Sequence, residues 1–185
     1  MPMGLLRRSA LVVVGLVGCG RDHATKVART DEVAVVDRVK LDGELDEPAW
    51  NASARIHVFT DRGAEARPYS NVRFLHDAQH LYLGLYAADQ DIRSGEQYRV
   101  TIGDRELAID PRGHVTPASE DVRAAVDIDG TIDNPADEDE EWVIELAVPL
   151  PATPFALRAS RCDTPKDGIE RCGSWVAPEA LSLAP

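Results

Sequence analysis

Aromatic residues are scarce in this chain: three tryptophans, four tyrosines and three phenylalanines, 5% of 185 residues. So few rings exclude a broad exposed aromatic platform of the kind that stacks on sugars or nucleobases. Basic charge is short as well. Twenty Lys and Arg face 32 Asp and Glu, a formal net charge of -12. Nucleic acid is thereby excluded as a partner, because phosphate binding needs a basic face. There is no repeat, no low-complexity tract and no apolar run near the roughly 20 residues that a membrane span requires. Enzyme signatures are missing too: no Gly-x-Ser-x-Gly, no His-Glu-x-x-His, no phosphate loop. Five histidines are scattered, and nothing sets two carboxylates at the separation glycoside hydrolysis needs. No catalytic residue is nominated, and a non-catalytic role is expected.

Cysteine is rare, and its placement is informative. Cys19 ends Leu16-Val17-Gly18-Cys19, after an apolar run from Ala10 to Val17 that Arg7 and Arg8 precede. A basic start, a short apolar segment and small residues before a cleavage point make a secretory signal. With a cysteine at the cut, the segment resembles the bacterial lipoprotein signal. The resemblance implies lipidation at Cys19, a membrane anchor of acyl chains and a place in the cell envelope. The plainer alternative is an ordinary signal peptide with a chance cysteine. Gly20 follows, not the aspartate of an inner-membrane retention signal, so the outer membrane is expected. Cys162 and Cys172 remain. An even remainder in an exported protein reads as a disulfide. Pro165, Asp167 and Gly168 let the loop between them turn back. A metal pair would need further Cys or His at ligand spacing.

Residues 1–18 are thus read as signal and 19–32 as a flexible tether, since Gly20 to Glu32 is polar without apolar periodicity. Residues 33–185 are read as one domain. Short runs of alternating or β-branched residues follow: Val33 to Val36, Arg55 to Phe59, Val72 to His76, His80 to Ala87, Tyr98 to Ile102, Glu106 to Ile109, Val122 to Ile128, Trp142 to Val148 and Phe155 to Arg161. Leu81, Leu83 and Leu85 share one face, and Tyr82 and Tyr86 the other. The one helical turn is Glu47 to Ala52, with Asp46 as N-cap and Pro48 in the first turn. Short strands at intervals of roughly 8–12 residues predict an all-β fold, an antiparallel β-sandwich of immunoglobulin-like or jelly-roll-like form.

Leu41-Asp42-Gly43-Glu44-Leu45-Asp46-Glu47-Pro48-Ala49-Trp50 is the most specific string. Val72 to Asp77 with His80 to Gly84, then Trp142 to Pro149, then Arg161 and Ser174-Trp175 follow in order. Together they resemble the family 9 carbohydrate-binding modules and their related DOMON-like sandwich domains, over about Val33 to Pro178, with a poor fit from Ile92 to Pro117. The resemblance implies non-catalytic binding of a saccharide or glycan. One departure stands out. Sugar-binding members clamp the ligand between two tryptophans. At the first place this chain reads Ser94-Gly95-Glu96-Gln97-Tyr98-Arg99-Val100, and Trp175 matches a structural tryptophan with none after it. A structural or protein-interaction lipoprotein that lost the sugar site is therefore the competing reading.

Trp50 and Trp142 are expected in the core, and Glu145 in an internal salt bridge with Arg73 or Arg161. If sugar binds, the expected surface carries Tyr82 and Tyr86, two apart on one strand, with Tyr98 nearby and Arg73 and Glu96 as polar contacts; Tyr69 is a further partial substitute. Asp127, Asp129 and Asp133 alternate around Gly130. They are the candidate ligands for a structural calcium, which takes several oxygens; no other cofactor is expected. Asp137 to Glu141 reads as a solvated loop.

Overall fold

The computed structural model describes residues 26–29, 39–52 and 55–183. The expected signal, Cys19 and the expected strand Val33 to Val36 lie outside them. Fourteen strands and one helix follow in order: β1 (Lys26–Arg29), α1 (Pro48–Ala52), β2 (His57–Val58), β3 (Thr60–Asp61), β4 (Ala64–Glu65), β5 (Ser70–His76), β6 (His80–Ala88), β7 (Gln97–Ile102), β8 (Arg105–Ile109), β9 (Val115–Thr116), β10 (Arg123–Asp129), β11 (Glu141–Pro149), β12 (Leu157–Asp163), β13 (Arg171–Val176) and β14 (Ser182–Leu183). One sheet runs β10-β11-β6-β5-β1-β14, with β2 also on β5; the other runs β4-β3-β13-β12-β7-β8-β9. The neighbours pair antiparallel except β1, which lies parallel to β5 and β14. So Lys26–Arg29, inside the stretch read as tether, forms a strand on the first sheet.

The alternation in the sequence sets which side chains meet between the layers. From the first sheet come Val72, Phe74, Leu81, Leu83, Leu85, Trp142, Ile144, Leu146 and Val148. From the second come Tyr98, Val100, Ile102, Leu107, Ile109, Leu157 and Ala159. Trp175 packs half-buried against Phe74 and His57, with ring centroids 5.6 and 4.4 Å away. The β5–β6 turn is made by Asp77, whose Oδ1 accepts from the backbone N–H groups of Gln79 and His80, both at 2.7 Å. A short carboxylate side chain folding back on its own backbone is what favours Asp in such turns.

The segment 39–52 decides the fate of the first sheet's outer face. Ala49 and Trp50 of this segment form a second buried cluster with Leu75, Tyr82 and Ala147 of the sheet; Val39, Leu41 and Leu45 pack against it. The approach is close. A Cβ at Gly84 would stand 2.6 Å from Leu45 Cδ2, and one at Gly43 only 2.4 Å from the backbone nitrogen of Asp127. Gly43 also holds φ at 97°, a region that favours glycine.

Candidate functional site

Glu145 points outward from β11, but under segment 39–52 it is fully buried. Neither expected arginine reaches it. It accepts instead from Trp50 Nε1 at 2.9 Å and from the backbone N–H groups of Asp42 and Gly43 at 2.9 and 3.1 Å. Burial pushes its carboxyl up to about 7 against the pull of these donors. The expected salt bridge is thus replaced by three hydrogen bonds that pin segment 39–52 to the sheet. Trp50 and Trp142 are buried as expected.

Arg161 goes elsewhere because β12 directs it between the sheets. Its Nη1 donates to the Ala88 carbonyl at 3.1 Å, and its Nη2 to Asp89 and, at 3.2 Å, to Glu96. Asp163 stands 3.5 Å from Nη2, and Trp142 donates from Nε1 to Asp89 at 3.2 Å. All four charged groups are buried. Three carboxylates around one guanidinium leave excess negative charge. Burial, then the Asp89 and Asp163 carboxylates, push Glu96 well up against the pull of Arg161. Asp163 is also raised, chiefly by burial. A proton retained on Glu96 lowers the negative charge that the cluster must balance. The three carboxylates could gather a cation, but the guanidinium holds the centre on which they converge.

Among the described residues, the second sheet's outer face has no such cover. Pairing places Thr60, Ser174, Ser160, Arg99, Ala108 and Thr116 in one row across it. A parallel row holds Val176, Arg158, Thr101 and Glu106, and a third Cys172, Cys162 and Gln97. Cys162 and Cys172 face each other across β12–β13 and form the expected disulfide. A cleft of about 410 Å³ opens here, lined by Arg93, Gln97, Arg99, Ser160, Thr164 and Glu170 among others, with the buried Glu96 and Arg161 on its walls. The side chains of Gln97, Arg99, Ser160 and Thr164 have no hydrogen-bond partner among the described residues.

The residues nominated from sequence do not meet on one surface. Tyr98 is fully buried against Trp142 and donates its hydroxyl to the Tyr86 carbonyl. Tyr82 is 9% exposed, inside the cluster under segment 39–52, and donates to Asp77 at 2.8 Å. Tyr86 is half-buried, edge-on to Tyr69. The expected tyrosine surface is therefore corrected. Tyr82 lies under the first sheet's cover, and Tyr98 faces the interior from the second sheet. Arg73 lies on β5 of the first sheet, while Glu96 is buried on Arg161. The proposed calcium ligands are likewise not gathered. Asp127 and Asp129 are exposed on β10, while Asp133 accepts from the Ser94 N–H at 2.9 Å and from Arg112 at 3.1 Å. Asp139 in the acidic run is buried, accepting from the Ile92 and Thr131 N–H groups at 2.7 Å each. The residues that sequence reasoning passed over are Gln97, Arg99, Arg158 and Ser160. Their signal was the polar half of the alternation in β7 and β12.

The fold is that of known carbohydrate-binding modules. A family 9 carbohydrate-binding module from Caldicellulosiruptor kristjanssonii in complex with glucose superposes with a TM-score of 0.60 at 12% identity, over 86% of this chain and 94% of that one. A family 9 module from the same organism in complex with cellotriose gives 0.55 at 13% identity, over 74% and 78%. At these identities the likeness is one of fold. No protein-family model matches the sequence, and no curated protein matches it.

Proposed function

We propose that this chain is an exported, lipid-anchored protein of the cell envelope that binds a saccharide, without catalysis, in the cleft on the outer face of the second sheet. The observation that carries the reading is a cleft that brings the unpartnered side chains of Gln97, Arg99, Ser160 and Thr164 together on a sheet face left open among the described residues. It opens beside Ser94 to Val100, the stretch that the family resemblance sets next to the sugar. The likeness to two sugar-bound modules supports the ligand class. The lipid anchor rests on the sequence around Cys19, with the outer membrane as its proposed site. Binding should be weak, with dissociation constants on the order of millimolar, because no aromatic ring lines the cleft and stacking contributes much of such affinity.

Calorimetric titration of the protein with a panel of soluble oligosaccharides tests this. Wild type should bind at least one of them, and Ser160→Ile, which fills the cleft, should lose that binding while keeping the fold by circular dichroism. No binding to any glycan at millimolar concentration would defeat the reading. The competing protein-interaction role is favoured by one observation, the lack of an aromatic side chain on the open face among the described residues. For the anchor, Cys19→Ala should release the protein from membranes or block its processing. Continued membrane partitioning at the mature mass would rule lipidation out.

A further inference from the structure

We propose that the open face of the second sheet selects saccharides bearing an anionic group, a carboxylate or a sulfate ester, through Arg99 and Arg158. The proposal rests on the saccharide-binding reading and names its ligand class. The two arginines sit on neighbouring strands with the same outward parity. Arg99 is opposite Ser160, and Arg158 opposite Thr101. They are therefore diagonal neighbours across an antiparallel pair, about 7–8 Å apart at the backbone, a gap that long side chains close. Both are exposed. Neither has an acid partner among the described residues, on a chain where acids outnumber bases 32 to 20. Other arginines do pair, among them Arg93 with Asp91, Arg105 with Asp121, Arg112 with Asp133 and Arg171 with Asp167. Arg55, Arg73 and Arg123 also lack an acid partner among the described residues, but only Arg99 and Arg158 stand as diagonal neighbours on the open face. Two adjacent guanidinium groups without an ion-paired carboxylate repel each other, and an anion bound between them removes that repulsion.

The surroundings fit a sugar around that anion. Ser160 and Thr101 lie between the arginines, Ser174 is next in the row and Gln97 next along β7. None of these side chains has a partner among the described residues, so all can meet sugar hydroxyls. Glu106, opposite Thr101 on β8, and Glu170, at the cleft, border the pair and can accept from hydroxyls. The guanidinium fork matches a planar carboxylate or a sulfate edge with two parallel hydrogen bonds. With no ring to stack on, charge-assisted hydrogen bonds are the strongest contacts this face can make. A neutral sugar leaves the strongest donors unused.

The experiment titrates the full-length protein with matched oligosaccharides of one length: a uronate oligomer, the same oligomer with its carboxyls reduced to alcohols, a sulfated oligosaccharide and its desulfated counterpart. The expected result is binding of the uronate or the sulfated form about ten-fold tighter than its neutral match. Which form wins identifies the anionic group. In Arg99→Gln and Arg158→Gln the ratio of anionic to neutral affinity should fall toward one. In Arg123→Gln, altered on the first sheet, it should not change. Equal binding of anionic and neutral forms overturns the ligand class and leaves saccharide binding standing. A preference that survives both arginine changes overturns the assignment to this face. Full displacement of the oligosaccharide by inorganic sulfate at equal concentration shows a simple anion site and overturns the proposal. No binding by any of the four defeats the saccharide reading itself.

Discussion

Glu145 shows how one residue can hold a distant segment in place. Its partners Asp42 and Gly43 lie 103 and 102 residues earlier in the chain. A buried carboxylate that accepts three N–H donors satisfies them at once, and leaving any of them unmade is costly. Glu145→Gln keeps the shape but turns an amide N–H₂ toward one donor. It should lower stability by about 1–3 kcal/mol, read as a shift of the urea midpoint. Glu145 also carries a pH signature. Its folded pKa, about 7, lies above the ordinary 4.5. Its stabilising contribution is therefore full below 4.5 and is lost as pH rises through about 7. In Glu145→Gln the stability should be flatter than wild type across that window. An unchanged slope would show that another group titrates there.

At the scale of elements, one position in segment 39–52 and one bond across the β12–β13 pair are the sharpest tests of how each is held. Gly43 is the tightest contact of the first, a positive φ against the β10 backbone. Gly43→Ala should cost at least ~2 kcal/mol, because a side chain there is strained and meets backbone that cannot turn aside. Gly84→Ala meets the flexible end of Leu45 closely and the Trp50 ring only at ordinary contact, 3.4 Å, so its cost should be smaller, about 1 kcal/mol. The order of the two urea midpoints checks the arrangement, and the reverse order would contradict it. The disulfide closes a loop of sequence separation 10. The loop-entropy account gives about 2–3 kcal/mol for so short a loop. Reduction should lower the unfolding midpoint correspondingly. The bond lies on the exposed face, so a reductant should reach it without global unfolding.

For the molecule as a whole, two populations of carboxyl groups set the pH response. Buried Glu145, Glu96 and Asp163 are raised, mainly by burial. Asp121, Asp133 and Asp167 at the surface are lowered, by the side-chain bonds of Arg105 and Arg171 and by the Ser94 and Ile169 N–H groups. The raised groups lose their contribution as pH climbs, and the lowered ones lose theirs as pH falls below the ordinary 3.8. The net charge of -12 adds repulsion that grows as remaining acids ionise. Half-buried His57, lowered from 6.5 to about 4 chiefly by burial, opposes the raised carboxyls in this window, but one histidine against three such groups leaves the thermal midpoint highest in mild acid, at roughly pH 4–5, and declining toward neutrality. A midpoint that rises steadily to pH 7 would contradict the balance.

The local pattern of the chain determined a good deal by itself. Alternation in Val72 to His76, His80 to Ala87 and Trp142 to Val148 reads directly as strands, because a strand places successive side chains on opposite faces. It separated Leu81, Leu83 and Leu85 from Tyr82 and Tyr86, put Trp142 inside, and with the turn residues led to a two-layer sandwich. The pair Cys162 and Cys172 was legible from parity and the loop between them. What alternation cannot state is what lies on the far side of a sheet. Tyr82 and Glu145 point away from the main core, and only the return of segment 39–52, long-range in sequence, buries them. The same limit hid the partners of Arg161, which Asp89, Glu96 and Asp163 reach from separate parts of the chain. It also hid the open face. Arg99, Arg158 and Ser160 read as ordinary solvated strand positions until the tertiary structure covered one sheet and, among the described residues, left the other open. Periodicity is a local property and fixes sidedness; cover, charge pairing and exposure are set by contacts between distant residues.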